Sequence, residues 1–298
     1  MRAACSEICR CIMSFKTSAV CTLHTAPASG ATCVFPVAVV TGGNRGIGYH
    51  VAHQLRVCGM DVIIACRDPV RGQEAAERLG AIYMQLDLSS ADSIDDFVRR
   101  FKKQFKRLDV LVNNAAISFK AEDPMPIELR AGPTLRINFW GTVRLTDALL
   151  PLMRKTAAMD GSPRLVNVSS SAGRLRQLSS ELQEQFSAPD LDRDRLFHLV
   201  SKFQVDVSNG RHLAEGWGES SYAFSKLALT AYTRIVAREE AETMRANACC
   251  PGECSTETTS FTGPRAPGAG ARCVVKLALL LDDAPTGEFW QDERVSCW

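Results

Sequence analysis

An uninterrupted apolar run that ends in a cluster of glycines sets the tightest limit on how this chain can fold. Phe35-Pro36-Val37-Ala38-Val39-Val40 does not alternate with polar residues, which is the pattern of a strand buried on both faces of a parallel sheet. It passes through Thr41-Gly42-Gly43-Asn44-Arg45-Gly46-Ile47-Gly48 into a segment ending near Val57, where Ile47, Val51, Ala52 and Leu55 recur at helical spacing. Strand, glycine turn and helix in that order point to a phosphate site. Gly42 can take backbone angles closed to other residues. Gly46 and Gly48 leave room for a pyrophosphate at the helix N-terminus, where free N–H groups and the dipole favour an anion. The alternative is a tight strand-to-helix turn with no ligand.

The same alternation runs on from there. Strands are predicted over 61–65, 82–86, 109–113, 164–169 and 246–250, with a possible last one over 288–290. Helices are predicted from Asp68-Pro69, an N-cap followed by a first-turn proline, to a Gly80 C-cap, and then over 93–105, 135–153, 221 to about 240, and 270–281. Strands alternating with helices specify an α/β fold with a doubly wound parallel sheet. Ligands in such sheets lie beyond the carboxyl ends of the strands, so chemistry is expected just after each strand.

Bulk properties exclude other classes. With 35 Lys+Arg against 33 Asp+Glu, nothing suggests a nucleic-acid partner. In the densest basic run, 99–107, the apolar Phe97, Val98, Phe101 and Phe105 share one helical face, so the charges are its solvated side. No stretch approaches the roughly 18 apolar residues of a membrane span. The chain has 12 cysteines, and the five before the first strand (Cys5, Cys9, Cys11, Cys21, Cys33) match no common zinc spacing. Residues 1–34 read as a disordered extension, and 35–298 as one domain. The protein is expected in the cytoplasm, with mitochondrial targeting by that extension left open. The five histidines do not group with acids or cysteines, so no metal site is expected; His50 and His53, on the first helix, read as structural or surface residues.

The unusual residues fall where the sheet predicts. Asn113-Asn114-Ala115-Ala116 ends the fourth strand, Ser169-Ser170-Ser171 ends the fifth, and Asn138 lies in the long helix between them. Tyr222 and Lys226 begin the next helix on one face; Tyr49, Tyr83 and Tyr232 have no lysine four positions on. To act near pH 7 a phenol needs its pKa lowered by about three units, roughly 4 kcal/mol. A lysine cation about 4 Å away supplies about that much at an effective dielectric near 20. Ser170 could hold a substrate oxygen without adding charge.

With TGxxxGxG at 41–48, the NNA turn at 113–115, Asn138, Ser170 and YxxxK at 222–226 in order, the chain resembles the short-chain dehydrogenase/reductase family from residue 36 to 298. The resemblance implies a Rossmann fold that binds a nicotinamide cofactor. It makes Tyr222 the proton donor, Lys226 its pKa-lowering partner and ribose ligand, and Ser170 the carbonyl anchor, so Ser170 and Tyr222 are the substrate contacts. Asn138 matches a residue that holds a water in the proton relay. Cofactor contacts carried over are Gly42, Asn44, Arg45, Gly46, Ile47, Gly48, Arg67, Asp87, Leu88, Asn114, Tyr222, Lys226, Pro251, Gly252 and Thr256.

Between Ser170 and Tyr222 lie 51 residues, far more than most members have. Leu182, Phe186, Leu191, Leu196, Phe197, Leu199, Val200 and Phe203 give this insertion, about 174–218, helical character. With Glu215-Gly216-Trp217 ahead of the tyrosine and Asn247-Ala248-Cys249-Cys250-Pro251-Gly252 beyond it, the arrangement is similar to the cytosolic monomeric carbonyl reductases, which implies a monomer. A neutral surface insertion is the alternative. Arg45 and Arg67 favour NADP(H) over NAD, since two guanidinium groups suit a phosphate dianion. Asp68 opposes this but has a competing role as N-cap.

Three departures stand out. Ala116 replaces a usual glycine, Glu253 stands where those reductases carry a bulky aromatic, and the 243–246 junction is short, with no Gly or Pro to end the helix. The expected activity is NADPH-dependent reduction of ketones, aldehydes or quinones to alcohols. The departures motivate a second reading, a nucleotide-binding relative with weak or no turnover. Cys250 is a candidate reactive thiol, with a buried inert cysteine as the alternative.

Overall fold

A computed structural model describes residues 35–119, 125–159 and 161–298. The extension 1–34, with its five cysteines, lies outside them. Among the described residues eight strands form one sheet in the order β3-β2-β1-β4-β5-β6-β7-β8. They are β1 (Val37–Thr41), β2 (Asp61–Cys66), β3 (Ile82–Gln85), β4 (Val110–Asn113), β5 (Arg164–Val168), β6 (Arg245–Cys250), β7 (Phe289–Gln291) and β8 (Arg294–Val295). All neighbours pair in parallel except β7 and β8. The order reverses direction at β1, with β2 on one side and β4 on the other, the switch point at which doubly wound sheets bind ligands.

The apolar runs of the central strands are continuous because each of these strands feeds two cores. Val37, Val39, Ile63, Ala65, Leu111 and Leu165 face one layer, and Ala38, Val40, Val62, Ile64, Val112 and Val166 face the other. The second layer is closed by α1 (Gly46–Val57), α2 (Pro69–Leu79) and, later in the chain, α9 (Pro267–Ala278), through Val51, Leu55, Ala75, Leu79 and Val274. The first layer is closed by α3 (Ala91–Gln104), α4 (Ile127–Leu135), α5 (Thr142–Met159) and α8 (Ser221–Glu239). On α3, Phe97, Val98 and Phe101 are buried while Arg99, Lys102 and Lys103 face water.

The predicted helix 135–153 is longer and less regular than expected. It starts at Ile127 as α4, widens into a π-helical turn over Arg136–Gly141 and continues as α5 to Met159. Pro133 and Pro151 lie inside it, so the usual reading of proline as a stop misplaced its start. A π turn inside an α-helix frequently marks a functional site, and this one carries Asn138. Next to it, a β-carbon on Gly141 would lie 2.1 Å from the Leu88 carbonyl oxygen, so only glycine lets the helix approach the loop after β3.

Two further corrections concern the end of the chain. The last helix is Pro267–Ala278, and the final strand, at Phe289–Gln291, is followed by the unforeseen β8. The β7–β8 turn is Asp292-Glu293, with φ of 51° and 62°. A two-residue turn of that kind normally announces itself with Asn-Gly or Asp-Gly, and here neither central residue is glycine.

Candidate active site

The glycine turn, the ends of β2 to β6 and the start of α8 surround one cavity of about 790 Å³. Gly42 and Gly46 have φ of +66° and +54°, as a turn this tight requires. Gly48 lines the cavity, and a β-carbon there would lie 2.5 Å from both the Gly42 carbonyl oxygen and the Asn114 amide nitrogen, so its missing side chain also makes room for protein packed beside the turn. Thr41 Oγ1 accepts from the backbone N–H groups of Asn114 and Ala115 at 3.0 Å, and Asn114 Nδ2 donates to the Thr41 carbonyl at 2.8 Å. These bonds lock the ends of β1 and β4 together beneath the cavity.

Arg45, Arg67 and Arg71 all line this end, the last not foreseen from sequence. Arg45 precedes α1, whose first turn contains no acid, and pairs with Glu257 from the segment after β6. Asp68 is committed as expected: its Oδ1 accepts from Val70 and Arg71 N–H at 3.0 and 3.1 Å, capping α2. Asp87 Oδ1 accepts from the Ser89 backbone and hydroxyl at 2.9 and 2.7 Å, shaping the loop after β3. Asn44, Ile47, Leu88, Pro251, Gly252 and Thr256 also line the cavity.

At the other end Ser170, Tyr222 and Lys226 converge. Tyr222 is half-buried and lines the cavity; Lys226 lies fully inside the fold, 5.7 Å from the centre of the Tyr222 ring, and donates to the Val168 carbonyl at 2.7 Å. Burial pushes the Tyr222 phenol up to about 12, aided by Cys250 and opposed by the Ser170 hydroxyl. Burial also pulls Lys226 down to about 8. This corrects the expected lowering of the tyrosine by the lysine. At neutral pH Lys226 keeps its charge and Tyr222 keeps its proton, so the pair holds a protonated phenol beside a lysine cation.

Asn138 is buried behind this group and is not in the cavity wall. Its Nδ2 donates to the Ile117 carbonyl and Ser225 Oγ at 2.9 and 3.1 Å, and its Oδ1 accepts from Ile117 N–H at 2.8 Å. Both amide hydrogens thus fix the loop after β4 against α8. Ser169, overlooked in favour of its neighbour, donates to the Lys226 carbonyl at 2.9 Å and shares a hydroxyl–hydroxyl hydrogen bond with Thr230 Oγ1 at 2.8 Å, tying β5 to α8.

The insertion supports the site. Its helices α6 (Ser180–Ser187) and α7 (Arg193–Ser208) bury Leu182, Phe186, Leu196, Leu199, Val200 and Phe203 in the main core, joined by Leu191 from the connection between them, with Phe197 packed against it. Phe203 stacks on Phe224 of α8 with ring centres 3.8 Å apart, and Trp217 meets Phe186, Phe203 and Phe224 edge-on. The Trp217 indole N–H donates to the buried Asp206 at 2.9 Å, and Asp206 also pairs with Lys202 and Arg211. The neutral-insertion alternative does not fit an element whose aromatics pack two residues beyond the tyrosine.

The backbone accommodates two of the three departures without strain. Ala116 is not among the residues with positive φ, so no glycine is needed there. The 243–246 junction closes on itself: Thr243 and Met244 N–H donate to the Glu240 carbonyl at 2.9 Å, and Thr243 Oγ1 donates to the Glu240 carboxylate at 2.9 Å. Glu253 is exposed on the cavity wall. Cys250 is buried at that wall, and Cys249 behind it is a protonated thiol whose pKa is driven up by its hydrogen bond to Cys273 and by burial. His50, read as structural, also reaches the cavity. Among the described residues no cluster of metal-ligating side chains occurs.

The β7–β8 hairpin holds both loops that carry the site. Trp298 Nε1 donates to the Gly173 carbonyl at 3.0 Å, and Arg174 donates to Gln291 and Ser296 at 2.8 and 3.2 Å. Arg265 bridges the Pro251 carbonyl and Asp292 at 3.0 and 2.6 Å. No sequence signal marked this hairpin.

The chain is similar to known proteins in sequence and fold. A family model described as short chain dehydrogenase matches residues 36–181. Carbonyl reductase [NADPH] 1 of Sus scrofa is 39% identical over 277 residues, 88% of this chain and 94% of that protein. The Homo sapiens protein of the same name is also 39% identical, over 88% of this chain and 98% of its own. Among solved structures, salutaridine reductase from Papaver somniferum is 32% identical with a TM-score of 0.77, covering 86% of this chain and 99% of that one. Menthone neomenthol reductase from Mentha piperita is 30% identical with a TM-score of 0.74, over 88% and 100%. A sheet that switches direction at a glycine turn, a Ser–Tyr–Lys group at its carboxyl edge and near-full-length identity of this size agree: the chain belongs to the short-chain dehydrogenase/reductase family.

Proposed function

We propose that this protein reduces the carbonyl group of ketones, aldehydes or quinones to the alcohol with NADPH. The observation that carries the reading is one cavity with a protonated Tyr222 beside Ser170 and Lys226 at one end and exposed arginines around a glycine turn at the other. The residues fit a dinucleotide phosphate: Gly42 and Gly46 open the turn, α1 presents its N-terminus without a competing first-turn acid, and Arg45 and Arg67 supply positive charge. Asn44, Ile47, Gly48, Asp87, Leu88, Asn114, Pro251, Gly252 and Thr256 would complete the cradle. When bound, the reduced nicotinamide supplies a hydride to the carbonyl carbon.

The chain's own residues do the rest. Ser170 donates a hydrogen bond to the carbonyl oxygen and Tyr222 gives it a proton. A phenol held near 12 is a weak acid toward water but an adequate donor to a developing alkoxide, which is far more basic. Lys226, charged below about pH 8 and held by the Val168 carbonyl, stabilises the phenolate that remains. Asn138 keeps the Ile117 loop in place and so shapes the pocket.

Residues 35–298 act as one catalytic domain, and we place the protein in the cytoplasm as a monomer. Support comes from seven free cysteines among the described residues, as in a reducing compartment, and from α7 packing across α4 and α8. No described helix is long and apolar enough to cross a membrane. The reading of a non-catalytic nucleotide binder keeps only Glu253 in its favour. The test is NADPH oxidation with menadione or isatin: Tyr222→Phe should lose roughly 10²–10⁴-fold in kcat. Activity that survives this change overturns the mechanism, and tight NADPH binding without turnover across a carbonyl panel overturns the enzyme.

A further inference from the structure

Arg45, the residue of the glycine turn aimed at a phosphate, already has an anionic partner within the fold. Its guanidinium pairs with the Glu257 carboxylate, and both side chains line the cavity with about half their surface in water, 54% and 48%. Glu257 belongs to a loop pinched at its base by the Cys254–Arg265 bridge, where Ser255 N–H donates to the Arg265 carbonyl at 2.8 Å and Arg265 N–H to the Glu253 carbonyl at 3.2 Å. At the far side of this loop Ser260 and Phe261 both hold positive φ, 52° and 60°, and Phe261 lines the cavity. The start of the loop reaches the glycine turn: a β-carbon on Gly46 would lie 3.4 Å from Thr256 Cγ2. The neighbouring acid, Asp68, is held by two backbone N–H groups as a helix cap, whereas Glu257 is held toward Arg45.

We propose that Glu257 is a specificity-determining residue that competes with the 2′-phosphate of the cofactor for Arg45. A guanidinium in a bidentate or end-on pair with a carboxylate cannot also receive a phosphate in the same place, so the phosphate must displace Glu257. The pair therefore lowers the preference for a phosphorylated ribose below what Arg45 and Arg67 alone would give. It also links occupancy of the phosphate end to the loop that carries Glu257, because releasing Glu257 frees the start of a loop whose far side, at Phe261, lines the same cavity. This rests on the NADPH reading above.

The test uses calorimetric titration with 2′,5′-ADP and 5′-AMP, which differ by the 2′-phosphate alone, on wild type, Glu257→Gln, Arg45→Gln and the double variant. Exposed ion pairs are worth about 0–1 kcal/mol, so Glu257→Gln should tighten 2′,5′-ADP about twofold to fivefold. It should leave 5′-AMP unchanged and have no effect on either ligand in the Arg45→Gln background. Unchanged or weaker 2′,5′-ADP binding in Glu257→Gln, with wild type still preferring 2′,5′-ADP, overturns the proposal alone. So does equal tightening in the Arg45→Gln background, which would mean simple repulsion. A wild type with no preference for the 2′-phosphate overturns the NADPH reading and this proposal with it.

Discussion

At the glycine-turn end of the cavity the charges stand half in water, with Arg45 54% exposed and matched by Glu257; at the catalytic end Lys226 is 2% exposed and rests on a backbone carbonyl. Water screens the first group, so its interactions are individually weak and can be exchanged for a ligand's. The second group feels the low dielectric of the interior, which moves both Tyr222 and Lys226 by large amounts. Selection between ligands suits the first setting, and proton chemistry suits the second.

Burial with full pairing gives the largest effect to test. Asp206 is buried like Lys226 but carries Trp217, Lys202 and Arg211 around it, and those partners hold its carboxyl below the usual range. Asp206→Ala leaves the Trp217 N–H buried without an acceptor, and denaturant titration should show a loss of about 3 kcal/mol. A loss near zero would mean that the insertion does not depend on this group. The catalytic end comes next. Lys226→Met should lower kcat roughly a hundredfold at neutral pH. Because burial depresses the lysine, its charge disappears as pH rises through about 8, so wild-type kcat should fall above that point while the variant stays flat. A wild-type profile flat to pH 10 would place the charge elsewhere.

At the exposed end Arg67→Gln should raise KM for NADPH about tenfold and leave KM for NADH unchanged, since one phosphate contact is worth about 1–2 kcal/mol. Equal effects on both cofactors would move Arg67 out of the phosphate site. The smallest effect is that of salt: raising ionic strength from 0.05 to 0.5 M should raise KM for NADPH about threefold with kcat unmoved, because screening acts on exposed charges. A salt-sensitive kcat would erase the contrast between the two ends.

Fold and site were legible in the sequence to different depths. The strands could be read because two-sided burial leaves uninterrupted apolar runs, and Gly42, Ser170, Tyr222 and Lys226 because each sits at a strand end or helix start with fixed spacing. The register of the Leu135 helix could not be read, because Pro133 and a π turn break the period on which such readings depend. The pKa of Tyr222 was misjudged because spacing gives proximity, whereas the order in which two buried groups titrate depends on burial that no spacing encodes. Arg71, Glu257 and Phe261 reach the cavity from elements whose meeting is purely tertiary. Glu257 in particular is 212 positions from its partner.

The hairpin at 289–298 bears on how the protein should be handled in the laboratory. Trp298 is one hydrogen bond from the loop that carries Ser170, while Arg265 and Asp292 join the same hairpin to the loop that carries Pro251 and Gly252. An affinity tag or fluorescent fusion appended after Trp298 pulls on both walls of the pocket. One placed ahead of Phe35, which is exposed where the chain enters the central strand β1, attaches at the amino end of the strands, away from the cavity at their carboxyl ends.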